Sequence, residues 1–294
     1  MSGHSTTPPS QLPVLVAQDL SAVSAISMGV AVPILTAFGQ PLAILPTSLL
    51  STQTEGFGQP ANADLNTWLP ATFAHWRAQH IQTHGALTGY LGSNAIVDQL
   101  TDFMGHQPHQ PIVIDPVMGD QGALYPNLAA DYPDHMRELI HTASVIVPNL
   151  TEATFLTGLT IAPDPDLGQL VPLLDALQHE LPANSHAIIT GITVANQQGC
   201  AWLNDAHEVQ FIGRPTISGH FYGSGDVFAA LLTGFLLSGE PLQQAVELAT
   251  RGTFWALTDT AHAPRDRKYG IVLSSVMAAI THYQQTGIFT TYLN

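Results

Sequence analysis

The sequence predicts an α/β fold, with an open and mostly parallel sheet covered by helices on both faces. Three observations carry this. Four short apolar runs, at residues 14–17, 112–114, 145–147 and 187–189, are continuous rather than alternating, as strands buried on both faces are. Longer stretches between them have helical spacing, and strands alternating with helices indicate βαβ units. Each run also gives way to polar residues or glycine, which suits strands whose carboxyl ends form a ligand-binding rim.

Along the chain, the first run leads to Gln18-Asp19, and a helix is expected over about 22–38. Further helices are expected over about 64–83 and 93–104. The second run leads to Asp115-Pro116-Val117-Met118-Gly119-Asp120, before a helix over about 132–142. The third leads to Pro148-Asn149-Leu150-Thr151-Glu152 and a helix over 151–157. Another helix, over 167–180, precedes the fourth run, which leads to Thr190-Gly191. Residues 200–204 and 208–212 flank Asp205-Ala206-His207 and read as a hairpin. Helices over about 226–238 and 241–258 follow, with Gly239 and Pro241 as stop and start signals. No low-complexity linker or internal repeat divides the chain, so residues 13–294 are expected to form one domain after a poorly ordered stretch at 1–12.

The 294 residues include seven Lys and Arg against twenty-two Asp and Glu, a net charge of −15. Such a chain lacks the basic surface that nucleic acid or an anionic membrane requires. A bound polyanion would have to be neutralised by backbone amides and a metal. The stretch from Leu20 to Thr54 is uncharged, but Pro33, Pro41, Pro46 and many hydroxyl residues interrupt it, so it reads as core rather than as a bilayer span. Cys200 is the only cysteine, which excludes an intrachain disulfide and any multi-cysteine metal site and accords with a reducing cytoplasm. No basic leader is present at the start of the sequence. The fourteen histidines contain no His-Glu-x-x-His spacing and read as solvated polar residues.

The most informative motif is Gly223-Ser224-Gly225-Asp226, running straight into Val227-Phe228-Ala229-Ala230. Glycines permit a tight turn, and the helix that follows directs unpaired amides and its positive dipole end toward it, a ready site for phosphate. Asp226 is there either a helix cap or a functional acid. The stretch lacks the third glycine of a dinucleotide fingerprint, because Phe228 stands in its place. The single lysine, Lys268, follows no glycine loop, so there is no P-loop either.

The Gly-Ser-Gly-Asp motif opening an Ala-rich helix resembles the Gly-Thr-Gly-Asp signature of the ribokinase superfamily. Within it, residues 115–125, Pro148-Asn149-Leu150-Thr151-Glu152-Ala153, Leu50-Ser51-Thr52-Gln53-Thr54 and Thr88-Gly89-Tyr90 resemble segments of pyridoxal kinases, over nearly the whole chain. The resemblance implies a three-layer α/β/α ribokinase-like fold and a cytoplasmic homodimer. The implied activity is ATP-dependent phosphorylation of the 5′-hydroxyl of pyridoxal, and of pyridoxine and pyridoxamine in some relatives.

By the same resemblance, Asp226 is the base that takes the hydroxyl proton. Gly223, Ser224 and Gly225 form the anion hole. Asp115 and Glu152 organise Mg²⁺ and the phosphates, Glu152 through water. Asp120 and Tyr125 belong to a flap over the nucleotide. Asn149 and Thr190 lie near the phosphates and a monovalent cation such as K⁺, and Phe228 lies on the ATP side. Asp19, Thr54 and Tyr90 contact the substrate ring. Phosphoryl transfer is mainly positioning and charge stabilisation, which these parts supply.

Ser224 replaces the usual Thr, and Asp19 stands where many pyridoxal kinases have Ser. Asp is also found there in hydroxymethylpyrimidine kinases of thiamine synthesis, which are the alternative reading. A non-catalytic sensor of B6 vitamers or nucleotides on a kinase scaffold is the alternative of another class. Asp19 either binds substrate or caps a helix beginning near Leu20 or Ser21.

Overall fold

The computed structural model describes residues 12–291, apart from 64, 108–110 and 163–164. Most of the stretch expected to be poorly ordered, 1–12, therefore lies outside the described residues. In chain order the elements begin with β1 (Val14–Ser21), α1 (Met28–Ala37), β2 (Leu42–Leu50), β3 (Asn62–Ala63), α2 (Trp68–Ala78), β4 (Gly85–Thr88) and α3 (Asn94–Gly105). The middle of the chain supplies β5 (Ile112–Ile114), β6 (Gly119–Asp120), β7 (Ala123–Leu124), α4 (Tyr132–Ile140), β8 (Val145–Ile146), α5 (Leu150–Thr157) and α6 (Val171–His179). Then come β9 (His186–Val194), β10 (Gln197–Leu203), β11 (Val209–Pro215), α7 (Ser224–Leu237), α8 (Leu242–His262) and α9 (Ser274–Thr286).

Among the described residues the main sheet has nine strands in the order β11-β10-β9-β8-β5-β4-β1-β2-β3. The strands from β9 to β2 in that order pair in parallel, and the three outer strands are antiparallel additions. Alternate residues of each central strand point to opposite faces. Val14 and Val16 join a core with α1, α7, α8 and α9, while Leu15 and Ala17 join a second core with α2 to α6. This is the three-layer α/β/α architecture. The continuous apolar runs in the sequence have this cause: each parallel strand supplies both cores.

Register builds the rim. Ala17 pairs with Thr88, Thr88 with Ile114, Ile114 with Ile146 and Ile146 with Ala187. The residues just beyond this row, among them Gly89, Asp115 and Val147, emerge side by side at the carboxyl edge.

One expectation fails here. The first helix does not begin near Leu20 or Ser21; β1 continues to Ser21 and α1 starts at Met28. Pairing with β2 carries β1 past the rim through an irregularity between Gln18 and Leu20. Asp19 therefore lies within a strand and caps nothing. No described helix is long and apolar enough to cross a membrane.

Candidate active site

The glycine motif folds as its sequence demands. Gly223 adopts φ 92°, a left-handed conformation that favours glycine, and α7 begins at the next residue. The first hydrogen bond of the helix runs from Val227 N to Gly223 O (3.1 Å), so the amides of Ser224, Gly225 and Asp226 precede the ladder. Asp226 does not cap its own helix. Its Oδ2 accepts the amide of Ser27 (2.7 Å), from the loop between β1 and α1. Burial raises its pKa to about 7; the Ser27 amide opposes the rise and the nearby Asp19 charge adds to it.

Three further carboxyl groups converge on this end of the sheet. Asp115 is 7% exposed, and its Oδ2 lies 3.6 Å from where a Cβ on Gly225 would stand. Burial, then the charges of Glu152 and Asp226, push its pKa well above the usual carboxylate range. Glu152 is raised to about 8, by burial and Asp120 against several backbone hydrogen bonds. Its Oε1 accepts Met118 N (3.1 Å) and its Oε2 accepts Asn149 N (2.8 Å). Asn149 Oδ1 in turn accepts Glu152 N (2.9 Å), which completes a capping box at the start of α5. Glu152 and Asn149 thus serve as scaffold as well as candidate ligands, and Asn149 Nδ2 also donates to Gly119 O (2.9 Å).

Asp19 is 4% exposed, and burial raises its pKa while the Ser27 side chain lowers it. Ser27 therefore stands between Asp19 and Asp226. Burial and the Asp19 charge raise the Tyr90 phenol, and the Tyr90 carbonyl is fixed by Thr47 Oγ1 (2.7 Å). The candidate flap is a two-stranded hairpin of β6 and β7, with Gln121 and Gly122 at positive φ at its tip. It is held by Gly122 N donating to Thr151 Oγ1 (2.9 Å) and by Tyr125 N donating to Met118 O (2.9 Å). Asp120 is exposed on it. Burial and the surrounding acids push the Tyr125 phenol up. Thr190 is tied to Pro148 O through its amide (2.8 Å). Phe228 is 6% exposed within the α7 core and still reaches the cavity.

Every site residue named from the sequence lines one cavity of about 1360 Å³, Thr54 included. Sequence reasoning missed Ser27, whose amide serves Asp226 and whose side chain serves Asp19, from a loop that carries no motif. It also missed Arg214 and His220, which line the same cavity and belong to no motif. Arg214 faces Glu247 (4.0 Å) and donates to Gly213 O (3.0 Å). Among the described residues no group of three or more His, Cys, Asp or Glu is placed to hold a metal ion. His80 and His84, four apart in sequence, share no helix, because α2 ends at Ala78 and β4 begins at Gly85. The donor set at Asp115 and Glu152 is all oxygen and suits a hard cation such as Mg²⁺ whose remaining ligands come from phosphates.

An α/β/α sandwich with a glycine turn and clustered buried carboxyl groups at the carboxyl edge of its sheet is the architecture of the ribokinase-like kinases. The comparisons accord with that class. The phosphomethylpyrimidine kinase family model matches residues 51–270. The crystal structure of pyridoxal kinase from Lactobacillus plantarum is 43% identical, with a TM-score of 0.90 over 94% of this chain and 99% of that one. A phosphomethylpyrimidine kinase candidate from Bacteroides thetaiotaomicron, in a crystal form with pyridoxal, is 31% identical, with a TM-score of 0.84 over 92% of this chain and 96% of that one. Hydroxymethylpyrimidine/phosphomethylpyrimidine kinase of Haemophilus influenzae is 35% identical over 167 residues, which are 55% of this chain and 60% of that protein. The chain belongs to the phosphomethylpyrimidine kinase family of the ribokinase superfamily.

Proposed function

We propose that the protein is an ATP-dependent pyridoxal kinase that phosphorylates the 5′-hydroxyl of pyridoxal. The observation that carries this is the placement of the Asp226 carboxylate at the head of α7, beside the amides that precede the helix ladder. A carboxylate with a pKa near 7 is suited to accept a proton at neutral pH. In the proposed reaction Asp226 takes the hydroxyl proton as the substrate oxygen bonds to the γ-phosphorus. The bond from that phosphorus to ADP breaks, and the proton later passes to solvent. The amides of Gly223, Ser224 and Gly225, with that of Asp226 next to them, stabilise charge on the transferring phosphoryl group. Asp115 would hold Mg²⁺ directly and Glu152 through water, since both Glu152 oxygens already accept amides. The metal supplies neutralisation of the phosphates in a cavity otherwise rich in acids.

Asp120 and Tyr125 close over the nucleotide, with Asn149, Thr190 and Phe228 on the same side. Asp19, Thr54 and Tyr90 receive the pyridine ring. Likeness to the L. plantarum and B. thetaiotaomicron proteins over nearly the whole chain supports pyridoxal as the acceptor. The family model and the H. influenzae relative favour hydroxymethylpyrimidine as the second reading. The buried base and intact glycine turn weigh against a non-catalytic sensor, which needs neither. A K⁺ requirement, a homodimer and a cytoplasmic location belong to the reading by family resemblance. An assay of ADP release with pyridoxal and hydroxymethylpyrimidine in parallel tests the function.

A further inference from the structure

A segment far along the chain makes contacts at the site that proton transfer and phosphate binding leave unexplained. Arg267–Tyr269 forms one 3-10 turn between α8 and α9, begun by Asp266, whose side chain accepts Lys268 N, and closed by Gly270 at φ 80°. Contacts run from it in two directions.

One set reaches the loop after β1. Ala25 N donates to Tyr269 O (3.0 Å) and Ile271 N donates to Ala25 O (3.0 Å). Ser24 Oγ donates to Lys268 O (2.8 Å), and Gln53 Nε2 donates to the same carbonyl. Ser24 at φ 112° and Ser27 at φ 44° both hold left-handed conformations without being glycine. Such conformations are costly and persist only where the surroundings over-determine them. Ser27 ends this loop and gives its amide to Asp226.

The other set reaches the approach to the glycine turn. Arg267 Nη1 donates to Ser218 O (3.0 Å), and its guanidinium carbon lies 4.1 Å from the centroid of the buried Phe221 ring. A Cβ on Gly219, which holds φ 107°, would stand 2.0 Å from Nη1, so the guanidinium lies directly against this backbone. The two sets meet at Gly223, where a Cβ would stand 3.2 Å from Ile26 Cγ2 and 3.3 Å from Ala25 O.

We propose that residues 267–270 are a positioning clamp that fixes the loop at 24–27 and the stretch at 218–222 relative to each other. The clamp thereby sets the Asp226 carboxylate against the anion-hole amides. The proposal rests on the kinase reading above, and it acts through Ser27 and Gly223 rather than by touching substrate.

Two variants test it, one for each direction. Gly270→Ala would place a methyl group 2.2 Å from Ala25 O at a positive φ, so the Ala25 bridge must give way. Arg267→Ala removes a half-buried surface side chain and the hold on Ser218. Where Gly270→Ala fails to fold, Ser24→Ala takes its place by deleting the hydrogen bond to Lys268 O. The expected result is a fall in kcat on the order of 10- to 100-fold, the scale of a reacting group displaced by about 1 Å. The KM for ATP should change little.

The acid limb of kcat/KM should also move to higher pH as Asp226 loses the Ser27 amide while still facing Asp19 and Asp115. Amide hydrogen exchange without substrate gives a readout independent of activity. Each variant should raise exchange at both 24–27 and 218–226, Arg267→Ala included at 24–27. A folded variant with unchanged kcat and pH profile, or faster exchange at its own contact alone, would overturn the clamp. A wild-type enzyme inactive on every B6 vitamer and pyrimidine would overturn the kinase reading instead, and the exchange result would still decide the clamp.

Discussion

Replacing Asp226 by Asn removes the proposed base with almost no change of shape. Asn Oδ1 can still accept the Ser27 amide, now 2.7 Å from the carboxylate, so the loop and the head of α7 should stay in place. The raised pKa gives the size of the effect in the wild type. With a value near 7, kcat/KM at pH 6 should be roughly a tenth of its plateau, because only about that fraction of Asp226 is ionised. The variant should lose turnover by about 10²- to 10⁴-fold and with it the acid limb.

Stability should move the other way. The folded pKa lies above the unfolded value of 3.8, so the native state binds the extra proton between about pH 4 and 7, and stability falls as pH rises through that window. Asn removes that loss, so the variant should melt no lower than wild type at pH 8. Rapid-quench kinetics coupled to ADP detection across pH 5.5–9 and a melting curve at each end make the measurement. Near-wild-type turnover with chemistry shown to be rate-limiting, or an acid limb that survives in the variant, would refute the assignment.

Three further outcomes follow from the same site. Excess EDTA should abolish turnover and Mg²⁺ restore it, while exchanging K⁺ for a bulky organic cation should slow the enzyme; full rates in EDTA would show that no divalent ion takes part. Asp19→Asn should raise the KM for pyridoxal or lower kcat by about 10- to 100-fold, the worth of one hydrogen bond to a charged group. The KM for ATP should stay nearly unchanged, and unchanged constants for both substrates would leave Thr54 and Tyr90 as the ring contacts. Residues 118–127, anchored at Gly119, Gly122 and Tyr125, should gain amide protection when nucleotide binds, and equal protection with and without it would count against a flap.

The sheet was legible where its chemistry was simplest. Strands β1, β5, β8 and β9 supply two cores and so read as unbroken apolar runs, and their registered ends put Asp115 and Asn149 on the rim. The glycine turn was legible because a left-handed residue ahead of an apolar helix leaves few residue choices. Strand β2 was hidden, because Pro46 interrupts it and Ile44, 45% exposed, breaks the buried pattern near the sheet edge. Strand β4, Gly85–Thr88, was hidden because glycine, alanine and threonine leave Leu87 as its only large apolar residue, so no apolar run shows. The start of α1 was misplaced because nothing in residues 22–27 announces a strained loop held from residues 267–271. Long-range contacts given by a main-chain amide, such as Ser27 N to the Asp226 carboxylate, leave no signature in the residue type of the donor.

The reaction proposed for this site is transfer of the γ-phosphoryl group of ATP to pyridoxal, with Asp226 as the base. Its most direct test is to incubate the purified enzyme with Mg²⁺-ATP and either pyridoxal or hydroxymethylpyrimidine, following ADP and the phosphorylated product together. Pyridoxal 5′-phosphate should form mole for mole with ADP, at a higher kcat/KM than the pyrimidine supports. No pyridoxal 5′-phosphate, or a higher kcat/KM for hydroxymethylpyrimidine, would contradict it.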